Sequence, residues 1–243
     1  TGDYAGVPLL RFYLSYRAMV RAKVAAIRLS QAKLADTVAK QVRDEFQSYL
    51  KLAKNYVVNT EPRLLLTHGV SGSGKSYGSE LMLKGMPAIR IRSDVERKRL
   101  QGEQQIPDSE LYSVETTRLV YERLCCLAEV IISAGWTVIV DATTLRVWQR
   151  TLFYDLSEKL QIPFQLVVFS ASQEQLESRI RERERNGGDP SDATPEILKL
   201  QLGELDPLDE NELKQSVAIP VDQEWTTELL VQLVQDSGNN QQR

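Results

Sequence analysis

Gly69, Gly74, Lys75 and Ser76 stand at the spacing G-x-x-x-x-G-K-[ST] within GVSGSGKS, residues 69–76. Glycines let a backbone curl until successive N–H groups point at anionic oxygens. A helix starting at the end of such a loop adds the partial positive charge of its first turn. Lys75 would reach the outer phosphates of a nucleotide, and the Ser76 hydroxyl would ligate Mg²⁺. Gly69, Val70, Ser71, Gly72, Ser73, Gly74, Lys75 and Ser76 are therefore candidate nucleotide-binding residues. The loop alone does not choose among kinase, ATPase and GTPase.

Two acids narrow that choice. Asp94 lies in RSDVERKR and Asp141 in VIVDATTLR, each just after an apolar, β-rich run. At the C-terminal rim of a parallel sheet a carboxylate can hold Mg²⁺ or accept a proton from an attacking hydroxyl. Either could instead cap the next helix. Asp94 and Asp141 are thus both candidates for base or metal ligand; Asp141, beside the phosphate loop, is the one expected with Ser76 at the metal. No N-K-x-D guanine element occurs, which argues against a GTPase switch.

Arginines follow in LESRIRERERNGGDPSDATPEILKLQ. Arg179 and Arg183, four apart, share one helix face; Arg181 and Arg185 share another. On a segment that closes over a triphosphate such arginines neutralise charge that develops in phosphoryl transfer. The interleaved Glu182 and Glu184 allow a plainer reading, a solvated face of Arg–Glu pairs. His68, the single histidine, is read as structural.

These residues need a frame. Helical spacing runs over 7–29 and about 32–54, two amphipathic helices forming a hairpin. Residues 59–62 read as a linker. Strands are expected at 63–68, 88–92, 137–142, 164–171 and 216–222. Helices are expected from 75, over 108–134 with Asp108 or Ser109 as N-cap, and over 146–160, 173–186 and 225–235. Residues 236–243 read as a frayed, disordered tail. Strands alternating with helices, several of them continuously apolar, predict a parallel α/β sheet covered on both faces. The expected order is 2-3-1-4-5, a three-layer sandwich. The expected division is 1–58, 62–235 and 236–243.

Composition sets the outer limits. The 243 residues are 42% hydrophobic and 26% charged, with net charge −3. No apolar run is long enough to span a membrane, and no signal sequence is evident, so a cytoplasmic enzyme is expected. Cys125 and Cys126 are adjacent and read as reduced thiols. Residues 1–60 carry ten Lys/Arg against four Asp/Glu, the remainder twenty against twenty-nine. An acidic main domain disfavours nucleic acid as partner.

Residues 63–235 resemble small P-loop kinases of the polynucleotide kinase and zeta-toxin kind. GVSGSGKS, RSDVERKR, VIVDATTLR and the RIRERER…DPSDAT segment carry the resemblance. The chain also resembles the predicted-kinase domain that follows an aminoglycoside-phosphotransferase-like domain in bacterial two-domain proteins. FYLSYRAMVRAKVAAIRL is similar to the last helices of that preceding domain. The resemblance implies ATP and Mg²⁺ as cofactors and a preceding domain in a longer parent chain. It implies Asp94 as general base, Lys75 and Ser76 as the phosphate-loop pair, Arg183 as the catalytic lid arginine with Arg179 one turn earlier, and Asp141 as an acid holding the site together. The acidic lid departs from the polynucleotide enzymes and favours a small-molecule acceptor. A 5′-hydroxyl polynucleotide kinase and a non-catalytic nucleotide sensor are the alternatives. Tyr112 and Thr116 are the expected acceptor-pocket residues.

Overall fold

Leu64, Leu65 and Leu66 have no exposed surface, and they explain the centre of the molecule. A strand apolar on both faces must be covered on both, and each such leucine contributes about 2 kcal/mol of burial. The computed structural model describes residues 2–31, 34–57, 61–186, 194–221 and 223–240. In chain order it has α1 (Val7–Ser30), α2 (Asp36–Val57), β1 (Leu64–His68), α3 (Lys75–Gly85), β2 (Ala88–Arg92), α4 (Ser93–Gln104), α5 (Val114–Ser133), β3 (Thr137–Asp141), α6 (Val147–Leu160), β4 (Phe164–Val168), α7 (Gln173–Asn186), α8 (Pro195–Gly203), α9 (Glu210–Lys214), β5 (Ser216–Ala218) and α10 (Thr227–Asn240). The chain divides into two compact units, Thr1–Thr60 with Ser133–Gly135, and Glu61–Ile132 with Trp136–Arg243.

In the first unit α1 and α2 form the expected hairpin. Ala18, Ala22 and Ala25 of α1 and Val42 and Ala53 of α2 are buried. Small residues on one stripe let two backbones approach closely. Ser15 donates to the Ala53 carbonyl at 3.3 Å, and Arg21 lies over the Tyr49 ring at 5.7 Å.

In the second unit five parallel strands lie in the order β2-β3-β1-β4-β5, as expected. Leu65, Ile139, Val167 and Val217 pack with Leu81 and Met82 of α3 and Leu230 and Val234 of α10 on one face. Gly78 lets α3 lie this close, since a Cβ there would stand 2.3 Å from the Phe169 ring. Tyr121 of α5 meets Phe153 of α6 edge-on at 6.4 Å. Among the described residues no helix is long and apolar enough to cross a membrane.

The elements differ from expectation in several places. Helix α4, which is not among the expected helices, follows β2 directly. Its buried face is Ser93, Glu96, Arg97 and Leu100, so no apolar stripe advertised it. Glu96 is satisfied by Arg99 and by Arg123 Nε at 2.9 Å. The expected helix over 108–134 is a single 3₁₀ turn, Asp108–Glu110, followed by α5. Ser113 Oγ accepts the Thr116 N–H at 3.1 Å and caps α5, in place of Asp108 or Ser109. Strands β4 and β5 end at Val168 and Ala218, short of the expected 171 and 222. Helix α10 continues to Asn240, so the expected frayed tail is helical through that residue, while 241–243 lie outside the described residues.

Candidate functional site

The loop between β1 and α3 is shaped as a phosphate cradle. Its first residue, Gly69, has φ +140°, and a Cβ there would lie 2.3 Å from the Phe169 carbonyl oxygen. Gly74 has φ +97°, and a Cβ would meet the Trp225 ring at 2.8 Å. Both positions thus exclude any side chain. Ser73 Oγ is buried without a hydrogen-bond partner among the described residues. Such an orphan beside a curled backbone suits an anionic oxygen. Lys75 opens α3 and donates from Nζ to the Val70 carbonyl at 2.8 Å. These features fit a nucleotide phosphate chain.

Parallel register builds the second part. It sets Arg92 of β2 opposite Asp141 of β3. Arg92 Nε lies 3.4 Å from Asp141 Oδ2, and Arg92 Nη2 donates to Ser76 Oγ at 3.4 Å. Arg90, two residues earlier on the strand, donates to the Ser76 carbonyl and to Ser79 Oγ, each at 2.9 Å. Ser79 Oγ in turn donates to Asp141 at 3.3 Å. Ser76 and Asp141, the expected metal pair, are thus brought together with an arginine between them. A hydroxyl and a carboxylate are hard oxygen donors of the kind Mg²⁺ takes beside phosphate oxygens and water. The residue types fit the metal, which must take over the contacts of Arg92.

Asp94 lies in the first turn of α4 and lines the same cleft as Lys75 and Asp141, a space of about 860 Å³. Burial pushes its carboxyl above the usual aspartate range; Lys75 and Arg92 pull the other way, and Asp141 adds to the rise. A carboxylate desolvated at the rim of a cleft is a better proton acceptor than one in water.

Arg97, one turn further along α4, is buried. It donates to the Leu111 carbonyl at 2.8 Å and lies over the Tyr112 ring at 4.8 Å. Its Nε has no partner among the described residues. Tyr112 lines the cleft, as expected. Thr116 does not: it packs against the Ser113 cap, and the helical phase which that cap sets turns Thr117 into the cleft instead.

His68 is buried at the end of β1 and donates from Nδ1 to the Thr144 carbonyl at 3.1 Å. Burial lowers its pKa, so it is a neutral structural group. Arg179 of α7 reaches the loop and donates to the Gly72 carbonyl at 3.1 Å. Arg181 is exposed and pairs with Glu177 at 3.2 Å, a solvated helix-face contact. The side chains of Arg183 and Arg185, and residues 187–193 of the expected lid, lie outside the described residues.

Sequence reasoning missed several neighbours of the loop. Arg90 and Arg92 alternate with Ile89 and Ile91, which places both on one face of β2 once the strand order is assigned. Trp225 covers Gly74 and stacks with Tyr77 at 6.1 Å. Gln201 of α8 accepts the Ser71 N–H at 2.7 Å. Nothing local in the sequence marks Gln201 or Trp225. An apolar group from the β1–α3 and β3–α6 connections, α7 and α8, comprising Val70, Leu145, Leu176, Ile180 and Leu198, holds this region against the loop.

A family model described as an AAA domain (AAA_33) matches residues 64–208. An uncharacterized protein of Mycobacterium tuberculosis (strain ATCC 25618 / H37Rv) is 33% identical over 207 residues, covering 81% of this chain and 39% of the relative. The chain thus spans about two fifths of the length of the curated relatives it matches. Among solved structures, a putative kinase from Chloroflexus aurantiacus superposes with TM-score 0.58 at 20% identity, covering 73% of this chain and 99% of that one. A sugar kinase from Janibacter sp. superposes with TM-score 0.52 at 19% identity, covering 70% and 91%. At these identities the likeness concerns the fold.

Proposed function

The chain belongs to the AAA domain family, and from that premise we propose that it is an ATP-dependent kinase acting on a hydroxyl of a small molecule. The observation that carries this reading is the placement of Asp94. A carboxylate with a raised pKa shares one cleft with Lys75 and the phosphate-shaped loop. A switch needs no such base, whereas a kinase uses one on its acceptor.

In the proposed reaction residues 69–76 hold the phosphate chain and Lys75 draws charge from the terminal phosphoryl group. Asp94 orients the acceptor hydroxyl and takes its proton as the new O–P bond forms. The bond between the β–γ bridging oxygen and the γ-phosphorus breaks, and ADP departs. Ser76 and Asp141 would hold Mg²⁺, which supplies neutralisation of the β- and γ-oxygens. Arg179, already on the loop, belongs to the charge-neutralising set, and Arg183 is proposed alongside it as the lid arginine. Arg97 and Tyr112 give the acceptor end of the cleft a buried cation and an aromatic wall. A small acceptor is favoured by the acidic balance of residues 61–243 and by the fold shared with a sugar kinase.

The test is a screen with γ-labelled ATP and Mg²⁺ against pooled hydroxyl metabolites and, separately, 5′-hydroxyl oligonucleotides. Label should pass to a small-molecule pool with the wild-type chain and not with Lys75→Ala. Label on oligonucleotides alone would replace the acceptor class. Tight ATP binding without transfer to any pool would replace the kinase with a nucleotide-sensing module. One observation favours that second reading: Arg92 already holds both groups expected to take the metal.

A further inference from the structure

We propose that Gln201 of α8 is a ligand of the terminal phosphoryl group, anchored to the phosphate loop by its own carbonyl. The inference rests on the reading of residues 69–76 as a nucleoside triphosphate site.

The argument begins with the amide's orientation. Gln201 Oε1 lies 2.7 Å from the Ser71 backbone nitrogen. That nitrogen can only donate, so the atom facing it must be the oxygen, and the usual ambiguity between amide O and N is removed. The NH₂ group is therefore turned away from Ser71. Among the described residues it has no hydrogen-bond partner. Gln201 lines the cleft that also contains Lys75, Asp94 and Asp141.

Lys75 Nζ donates to the Val70 carbonyl at 2.8 Å. The Val70 carbonyl and the Ser71 N–H belong to one peptide unit and point to opposite sides of it. The ammonium and the glutamine amide thus grip the same peptide from either side, and both line one cleft. A phosphoryl group lying between Lys75 and Asp94 would share that cleft with Gln201.

The carrier of Gln201 is also fixed. Helix α8 starts on a Thr194 cap, with Leu198 packed against Val70, Leu176 and Ile180. Arg146 pairs with Glu204, just past the end of α8, at 3.3 Å and with Asp206 at 3.4 Å, which ties that end to the residues after β3. A neutral donor held in this way can tell a triphosphate from a diphosphate, because only the former puts an oxygen in front of it.

The test uses the whole chain, calorimetry with Mg²⁺, and two probes, ADP and β,γ-imido-ATP. Gln201→Glu keeps an acceptor for the Ser71 N–H but puts a carboxylate where the donors were. It should weaken β,γ-imido-ATP about tenfold or more while ADP stays within about threefold. Gln201→Leu removes donors and anchor without adding charge. It should weaken the triphosphate less than Gln201→Glu does, with ADP again near wild type. Parallel loss of both probes in both variants, accompanied by a lower Tm, would mean that Gln201 only braces α8, and would overturn the proposal. Unchanged affinity for β,γ-imido-ATP in Gln201→Glu would overturn it as well. A wild-type chain that binds neither probe would overturn the reading of the loop itself, and this inference with it.

Discussion

Arg92 stands 3.4 Å from the Asp141 carboxylate in a pairing dictated by parallel register, and it holds Ser76 with a second nitrogen. Asp141 is therefore neutralised by a strand neighbour before any cation arrives. A divalent ion at Ser76 and Asp141 competes with that guanidinium.

Competition gives two substitutions opposite signs. Arg92→Gln should lower the Mg²⁺ concentration that half-saturates ATP binding by about three- to tenfold, since it frees the carboxylate. Asp141→Asn should raise it by a similar factor. A magnesium titration of ATP binding by calorimetry measures both. If the two shifts share a sign, Asp141 is not the metal's carboxylate.

Asp94→Asn keeps shape and hydrogen bonding but cannot accept a proton. Turnover on an identified acceptor should fall by about 10²–10⁴, with ATP affinity within a few-fold of wild type. The pH profile adds a second check. Asp94 works deprotonated and its pKa is raised by burial. Wild-type kcat/KM should therefore decline as pH falls through a value above the ordinary ~3.9 of aspartate. That acid limb should vanish from the residual activity of the variant.

His68 is buried and neutral, with its pKa lowered by desolvation. The unfolded chain binds a proton near pH ~6.5 that the folded chain does not accept until lower pH. This contribution to stability is fully present above ~6.5 and is lost as pH falls below it toward the folded-state pKa. Denaturant midpoints measured downward from pH 7 should show that slope, and His68→Asn should flatten it.

Gly78→Ala should destabilise the fold by about 1–3 kcal/mol. In an exposed helix the same change stabilises by roughly 0.5–1 kcal/mol. Here the added methyl meets the Phe169 ring. Urea unfolding of the two proteins decides the sign.

The runs Leu64–Leu66, Val138–Val140 and Leu166–Val167 show why the sheet was legible: strands buried on both faces declare themselves by unbroken apolarity. GVSGSGKS likewise carries its own turn chemistry. Helix α4 was not legible, because a face made of Glu96 and Arg97 becomes a buried face only when partners on other elements neutralise it. Arg123 of α5 and the Leu111 carbonyl do so here. The position of α5 turned on which of several start signals took effect, and Ser113 prevailed over Asp108 and Ser109. Ser71 and Gln201 are 130 residues apart, and no local pattern encodes their meeting.

Trp225 lies close enough to Gly74 that a single methyl there would strike it, and its Nε1 is fixed by the Pro220 carbonyl at 2.7 Å. Trp136 is buried and Trp148 is 39% exposed, and neither is among the residues lining the cleft. One of the three indoles in the chain therefore lies against the phosphate loop and lines the cleft. Indole emission responds to the polarity and charge around the ring, so occupancy of the loop is written into the protein's own fluorescence. Binding can be followed on the unlabelled chain in stopped flow, and Trp225→Phe identifies the source of the signal.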